Sequence, residues 1–253
     1  MDMDYTSSEL MTVNAARLLR DKDTVFVGVG IPNLACNLAR RTHAPNLVMI
    51  YEAGVVGAQP SRLPLSIGDP TLVSGAASVC SMYEIFALYL QRGNVDVGFL
   101  GGAQIDRYCN INATVIGDYD HPKVRLPGSG GSMEIAGWAN RCYIMTPHQK
   151  RRFPEKVDFC TSAGFLSGRK EREAIGTRGA GPQAVVTDLG IMTPDENGEL
   201  ILTALHPGVS VKQVQENTGW PIKISQKLKE TSPPKQNELR ILREELDPDG
   251  IYR

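Results

Sequence analysis

The sequence predicts an α/β fold: an open, mostly parallel sheet with helices on both faces. Short runs rich in β-branched and apolar residues alternate with segments whose apolar residues recur at helical spacing. Several runs are apolar throughout rather than alternating, as strands covered on both faces are. The first of them end in glycine, where a strand turns directly into a loop or helix. With 253 residues the chain can bury a large core, and a single domain over 1–253 is expected.

The first element is a helix from Ser8 to Leu19, with Ser7 or Ser8 as N-cap and Glu9 in the first turn, where an acid suits the helix dipole. Thr24 to Gly30 follows as a strand ending in glycines, and Pro32-Asn33 leads into a helix over Leu34 to Arg40. Leu47 to Tyr51 has the pattern of a buried strand ending at Glu52-Ala53-Gly54. The helical stretch Ser81 to Arg92 precedes the strand Val95 to Leu100, which ends at Gly101-Gly102. The glycine loop Pro127 to Ser132 opens a helix over Met133 to Ala139, and further strands are expected over Arg141 to Thr146, Ala184 to Thr187 and Leu200 to Ala204. Leu166 to Pro182 and Glu230 to Asn237 carry the composition of surface loops, and the charged helix Glu238 to Leu246 is expected to be peripheral.

Composition narrows the function. Lys and Arg total 27 against 28 Asp and Glu, so there is no broad positive field for nucleic acid. Hydrophobic residues at 42% and charged residues at 22% exclude wholesale disorder and a membrane bundle. The polar start MDMDYTSSELM lacks the order of a secretory signal, and no apolar run reaches the roughly 18 residues of a spanning helix, so a cytoplasmic location is expected. Five dispersed cysteines without a CxxC pair point to reduced thiols rather than a disulfide framework or zinc site. The four histidines have no metal-ligand spacing, and no metal is expected.

In open α/β sheets ligands gather at the carboxyl ends of strands. Glu52 is therefore the first candidate: a carboxylate at the tip of a buried strand, followed by a tight turn. Such a glutamate also serves elsewhere as a cap or surface charge, but in a partly dry pocket it is a nucleophile for an activated acyl group. Gly54 supplies the turn. Gly28 and Gly30 form only part of a dinucleotide fingerprint, because Asn33 stands at the third glycine position. The loop Gly128 to Ser132 can present backbone N–H groups to an anion or an oxyanion, or be an ordinary turn. Lys150-Arg151-Arg152 is a compact basic cluster, suited either to phosphates or to a solvated helix end. Glu84 and Glu134 fit surface or capping positions. Cys109 fits a small packing residue.

Together these segments resemble the class I coenzyme A transferases, in particular the beta subunit of glutaconate CoA-transferase, over nearly the whole chain. The resemblance is carried by Gly28-Val29-Gly30-Ile31-Pro32, Glu52-Ala53-Gly54, Gly101-Gly102-Ala103-Gln104-Ile105-Asp106, Ile116 to Lys123, Gly128-Ser129-Gly130-Gly131 and His148 to Arg152. Gly181-Pro182-Gln183, Val186-Thr187-Asp188 and Glu216-Asn217-Thr218-Gly219 fit as well.

The resemblance implies that Glu52 is the catalytic glutamate, in a turn whose middle residue is Ala53 where the family has Ser or Asn. It implies CoA transfer between an acyl-CoA and a carboxylic acid, with a glutaconate-like dicarboxylate favoured, through a glutamyl anhydride and a glutamyl-CoA thioester. Gly130 and Gly131 are then expected in the oxyanion hole, Gln104 and Gly54 beside the acyl group, and Gly28, Gly30 and Lys150 at the CoA. Coenzyme A enters as substrate, with no permanently bound cofactor, and an alpha subunit is the implied partner in a hetero-oligomer. Relatives that lack the glutamate hydrolyse or decarboxylate acyl-CoA; those reactions, and a non-catalytic acyl-CoA-binding subunit, are the alternatives.

Overall fold

The structure, a computed structural model, describes residues 4–252. The first residues of the polar N-terminal stretch, and Arg253, lie outside the described residues. The chain divides into two compact units, one formed by residues 1–99 and 232–253, the other by residues 100–231. The division falls within a strand, where nothing in the composition marks a boundary.

In the first unit, helix α1 (Ser7–Ala16) is capped one or two residues before the predicted position. Thr6 is the N-cap and closes a capping box with Glu9: the Glu9 N–H donates to Thr6 Oγ1 (3.1 Å) and the Thr6 N–H to Glu9 Oε2 (2.8 Å). Strand β1 (Thr24–Phe26) is followed by α2 (Ile31–Arg41), with Pro32 in its first turn, and by β2 (Val48–Tyr51). Two short strands, β3 (Val55–Val56) and β4 (Ser78–Val79), extend the sheet. The predicted helix after Ser81 is a single turn, α3 (Met82–Glu84), that runs on as wider π-helical turns over Ile85–Leu90. Glu84 caps it, accepting the Ser81 N–H at 2.8 Å.

Strand β5 (Val97–Leu100) pairs in parallel with β1, and β1 with β2, whereas β2, β3 and β4 run antiparallel. The parallel core β2-β1-β5 is the buried-strand arrangement expected from its apolar runs. Val25, Phe26, Met49, Ile50 and Val97 are all buried.

The C-terminal helical segment, residues 236–246, belongs to this unit and is not peripheral. Leu239, Ile241, Leu242 and Leu246 are buried. Two ion pairs clamp it to α1: Arg17 Nη2 to Glu238 Oε2 at 2.7 Å, and a bidentate Arg243 on the fully buried Glu9 at 2.7 and 2.9 Å. A charged exterior had concealed an apolar stripe at helical spacing.

The second unit opens with two hairpins, β6 (Gln104–Ile105) with β7 (Ile111–Asn112), and β8 (Val115–Gly117) with β9 (Pro122–Arg125). Helix α4 (Ser132–Trp138) follows the glycine loop, and β10 (Arg141–Met145) starts the unit's sheet. The stretch expected to be loop contains α5 (Arg169–Ala174). The sheet continues through β11 (Pro182–Val186), β12 (Gly190–Pro194) and β13 (Leu200–Leu205), passes over α6 (Val211–Glu216), and ends with β14 (Lys223–Glu230). β10–β11 and β13–β14 are parallel, β11–β12 and β12–β13 antiparallel. β14 escaped the sequence pattern because its outer positions are charged and mostly exposed, the composition of an edge strand guarded by lysines. Among the described residues no helix is long and apolar enough to cross a membrane.

Candidate active site

In the first unit, Glu52 begins the turn that joins β2 to β3. The Gly54 N–H donates back to Tyr51 O (3.0 Å), and Tyr51 pairs with Val55 across the turn. Gly54 is required twice over. Its φ of +105° suits glycine, and a Cβ there would collide with the carbonyl oxygen of Cys80, whose N–H donates to Gly54 O at 2.8 Å. The turn thus lies tight against the chain entering α3. Glu52 is half-buried, and among the described residues its carboxylate has no hydrogen-bond or ion-pair partner. A carboxylate used for structure is normally paired; this one is held only by its backbone.

Beneath the turn lies a buried polar ladder that sequence patterns had not signalled. Asn33 Nδ2 donates to Tyr51 OH (2.8 Å) and to Gly28 O (3.2 Å), and Asn37 Nδ2, one helical turn on, donates to Asn33 Oδ1 (2.8 Å). Arg40 continues it, donating to Asn37 Oδ1 and Ala58 O. Burial pushes the Tyr51 phenol up to about 12. The residue that spoils the dinucleotide fingerprint is therefore the bracket between the Gly28 loop and the strand carrying Glu52. Two asparagines four apart on the buried face of α2 were the available signal. Gly30 is the N-cap of α2 with φ +90°, and Gly28 is exposed with open space at its Cα.

In the second unit, Gln104 is buried at the start of the β6–β7 hairpin. Its Oε1 accepts from Asn112 Nδ2 (2.7 Å) and the Asp158 N–H (3.0 Å), and its Nε2 donates to Asp158 Oδ2 (3.1 Å). The same Asp158 oxygen accepts the Gly117 N–H at 2.8 Å, so this amide ties both hairpins together. The glycine loop leaves β9 through Leu126 and Gly128, whose N–H groups donate to Thr114 O and Ala113 O. Gly128 and Gly130 have φ of +100° and +47°. The N–H groups of Gly130 and Gly131, at the start of α4, have no partner among the described residues. Two adjacent unspent donors beside a helix start suit an anionic oxygen.

The segment from His148 to Arg152 is a set of turns, not a helix end. Lys150 is exposed, while Arg152 is half-buried with Nη1 donating to Gly102 O (3.2 Å). His148 is the hub of three segments that carried the resemblance. Its ring nitrogens hydrogen-bond with the hydroxyls of Thr187 (3.1 Å) and Thr218 (3.0 Å), its N–H donates to Asp188 Oδ1 (2.6 Å), and its ring packs on Phe153. Burial pulls its pKa from 6.5 down to about 4, against the opposing pull of Asp188.

Between those pH values the unfolded chain takes up a proton that the folded one refuses, so His148 contributes stability above pH 6.5 that is lost as pH falls toward 4. The loss amounts to about 3 kcal/mol. Urea unfolding followed from pH 7 to pH 4 is expected to show this slope, and His148→Gln to flatten it; an equal slope in both proteins would refute the assignment. Asp106 likewise serves structure. Its carboxylate accepts the N–H groups of Tyr108 and Asn110, and burial holds its pKa above the usual carboxylate value. Cys109 is buried with φ +61°, fitting packing rather than nucleophilic chemistry.

Two units thus present an unpaired carboxylate on a strand-end turn in one, and unspent backbone donors on a glycine loop in the other. A family model described as Coenzyme A transferase matches residues 8–217, and the chain belongs to that family. It is 51% identical over 240 residues to the beta subunit of the 3-oxoadipate CoA-transferase of Pseudomonas knackmussii, an alignment spanning 94% of this chain and 92% of that one. It is 39% identical over 254 residues to the beta subunit of the glutaconate CoA-transferase of Acidaminococcus fermentans, over 98% and 95% of the two chains. The crystal structure of glutaconate coenzyme A-transferase from the same organism superposes with a TM-score of 0.93 at 38% identity, covering 98% of this chain and 97% of that chain. The resemblance drawn from the motifs, and the fold class with it, are borne out.

Proposed function

We propose that this chain is the beta subunit of a hetero-oligomeric CoA-transferase, and that Glu52 is its nucleophile toward a short linear dicarboxylic acyl-CoA. The observation that carries the assignment is the Glu52 carboxylate itself, half-buried, unpaired and fixed by a turn that only glycine at position 54 permits. The substrate class follows the relatives named for 3-oxoadipate and glutaconate, with the six-carbon acid favoured by the higher identity.

One Glu52 oxygen attacks the thioester carbonyl carbon; the C–S bond breaks, CoA leaves as thiolate, and a mixed anhydride remains. The thiolate attacks the glutamyl carbonyl, which forms an enzyme-bound CoA thioester and releases the first acid as carboxylate. The acceptor carboxylate then attacks that thioester, the C–S bond breaks to release CoA thiolate and an anhydride re-forms; the thiolate attacks the new acyl carbonyl, whose bond to the Glu52 oxygen breaks, giving the product acyl-CoA and the free Glu52 carboxylate. Every nucleophile begins as an anion, so no proton has to move and neither a metal nor a resident cofactor is called for. The unspent N–H groups of Gly130 and Gly131 are the candidates for an oxyanion contact. Gln104 is the candidate for the acyl group, and Gly28 and Gly30 are the candidates for the CoA chain. With its thiols free and CoA as substrate, the enzyme works in the cytoplasm.

An anhydride survives only if water is excluded. Ala53 beside Glu52 is exposed, and so are Val79, Met82 and Tyr83 around the Cys80 contact, Tyr83 at 74%. This apolar surface suits cover by the alpha subunit. In the paired complex, incubation with acyl-CoA followed by borohydride is expected to leave reduced Glu52, located by mass spectrometry. An unmodified Glu52 during turnover overturns the nucleophile. Activity of the mixed subunits no higher than that of this chain alone overturns the pairing, and steady hydrolysis without transfer replaces the reaction.

A further inference from the structure

We propose that Arg152 binds the free carboxylate of an aliphatic dicarboxylic substrate, in a pocket of the second unit. The proposal deepens the transferase reading above and rests on it for the class of ligand.

The pocket has a volume of about 320 Å³. Ala103 and Gln104 form one side, Ile116 of β8, Val124 of β9 and Leu126 an aliphatic wall, and Arg151 and Arg152 its cationic end; among the described residues no acidic side chain lines it. Arg152 is fixed before any ligand arrives. Its N–H donates to Gln149 O (2.7 Å), its carbonyl accepts the Ile105 N–H (2.7 Å), and Nη1 donates to Gly102 O. That is the one side-chain hydrogen bond of Arg152 among the described residues, and no carboxylate there pairs with it.

Three other guanidinium groups of this unit are spent. Arg107 lies on Glu199 and Glu155, Arg169 on the carbonyls of Glu196 and Asp195, and Arg172 on four carbonyls. A half-buried guanidinium that is held in place with donors unspent is preorganised for the planar oxygens of a carboxylate. The aliphatic wall adds a second requirement, because methylenes gain from burial there and a bare phosphate has none to bury. At the Gln104 side, Gln104 Nε2 and the Gly117 N–H both donate to Asp158 Oδ2, and Asp158 is not among the lining residues. Lys150, exposed and outside the lining, takes no part.

The test uses the complex reconstituted with its alpha subunit and isothermal titration calorimetry. Glutarate and adipate are compared with pentanoate and hexanoate, which keep the chain but lack the second carboxylate, and with CoA, which carries the competing phosphates. Arg152→Gln is expected to weaken the dicarboxylates about 10- to 100-fold, the range of a lost hydrogen-bonded charge. The monocarboxylates and CoA are expected to change less than about twofold. Arg152→Lys, which keeps the charge and loses the fork, is expected to fall between wild type and Gln, and carries the same test should the Gln variant fold poorly. Unchanged dicarboxylate affinity in both variants overturns the proposal, and so does a fall in CoA affinity, which makes the pocket a phosphate site. Glu52→Ala, titrated alongside, is expected to keep the dicarboxylate preference while losing transfer, so failure of the carboxylate site and failure of the nucleophile are read separately.

Discussion

Replacing Glu52 with alanine is expected to lower kcat of the reconstituted complex by about 10⁴-fold or more, because both covalent intermediates are built on that side chain. Stability is expected to stay unchanged. The carboxylate has no partner among the described residues, so its removal orphans nothing, and the turn is held by Gly54, Tyr51 and Cys80 through their backbones. Kinetics and a thermal melt of the same variant therefore separate chemistry from folding. Glu52→Asp retains the charge but draws it back by one methylene, and is expected to lose about 10²-fold, the effect of misplacing a reacting group by about 1 Å. An alanine variant that still transferred CoA would end the nucleophile assignment; an aspartate variant as slow as alanine would show that reach, beyond charge, governs the reaction.

The second large effect concerns stability. Arg172, 4% exposed, donates from Nη1 to Ala163 O and Gly164 O and from Nη2 to Ala136 O and Gly179 O, at 2.7 to 3.1 Å. Among the described residues no acidic partner accompanies it, and burial lowers its pKa, though an arginine stays charged at neutral pH. One side chain thus gathers α4, the loop before α5 and the turn after it, and Gly181 is packed against its guanidinium. Arg172→Ala removes the donors to three buried carbonyls and one partly buried carbonyl, at about 1 kcal/mol or more each, so a loss on the order of 4 kcal/mol is expected. Urea unfolding monitored by circular dichroism measures it. Arg172→Lys, unable to span four acceptors, is expected to recover less than half. A loss below about 1 kcal/mol would mean that water takes over the four carbonyls.

Much of the fold was legible because its signals are local. The apolar runs at Val25, Met49 and Val97 became the parallel centre of the first unit, and Glu52-Ala53-Gly54 became the turn that its composition implied. The misses have physical causes. Thr6, not Ser7 or Ser8, caps α1 because only it stands three residues before Glu9. The C-terminal helix joins the core because Arg17 and Arg243 neutralise its acids and Glu9 across more than 200 residues of chain. Lys150 to Arg152 was expected as one basic cluster, yet the turns send Lys150 to solvent and Arg152 into a pocket.

By itself, then, the sequence determined the alternation of strands and helices, the carboxylate at the tip of the second strand and the glycine turns around it. Periodicity, turn preference and backbone freedom act over a few residues and are written in order along the chain. Only the tertiary structure decided which polar side chains are consumed and which are left over. Gln104 is spent on Asn112 and Asp158, His148 on Thr187 and Thr218, and Arg172 on four carbonyls, while Glu52 and most of Arg152 are not. Desolvation and hydrogen-bond partnership are settled between residues tens of positions apart, and a polar group becomes available for chemistry when the folded chain fixes it in place and gives it nothing to bind.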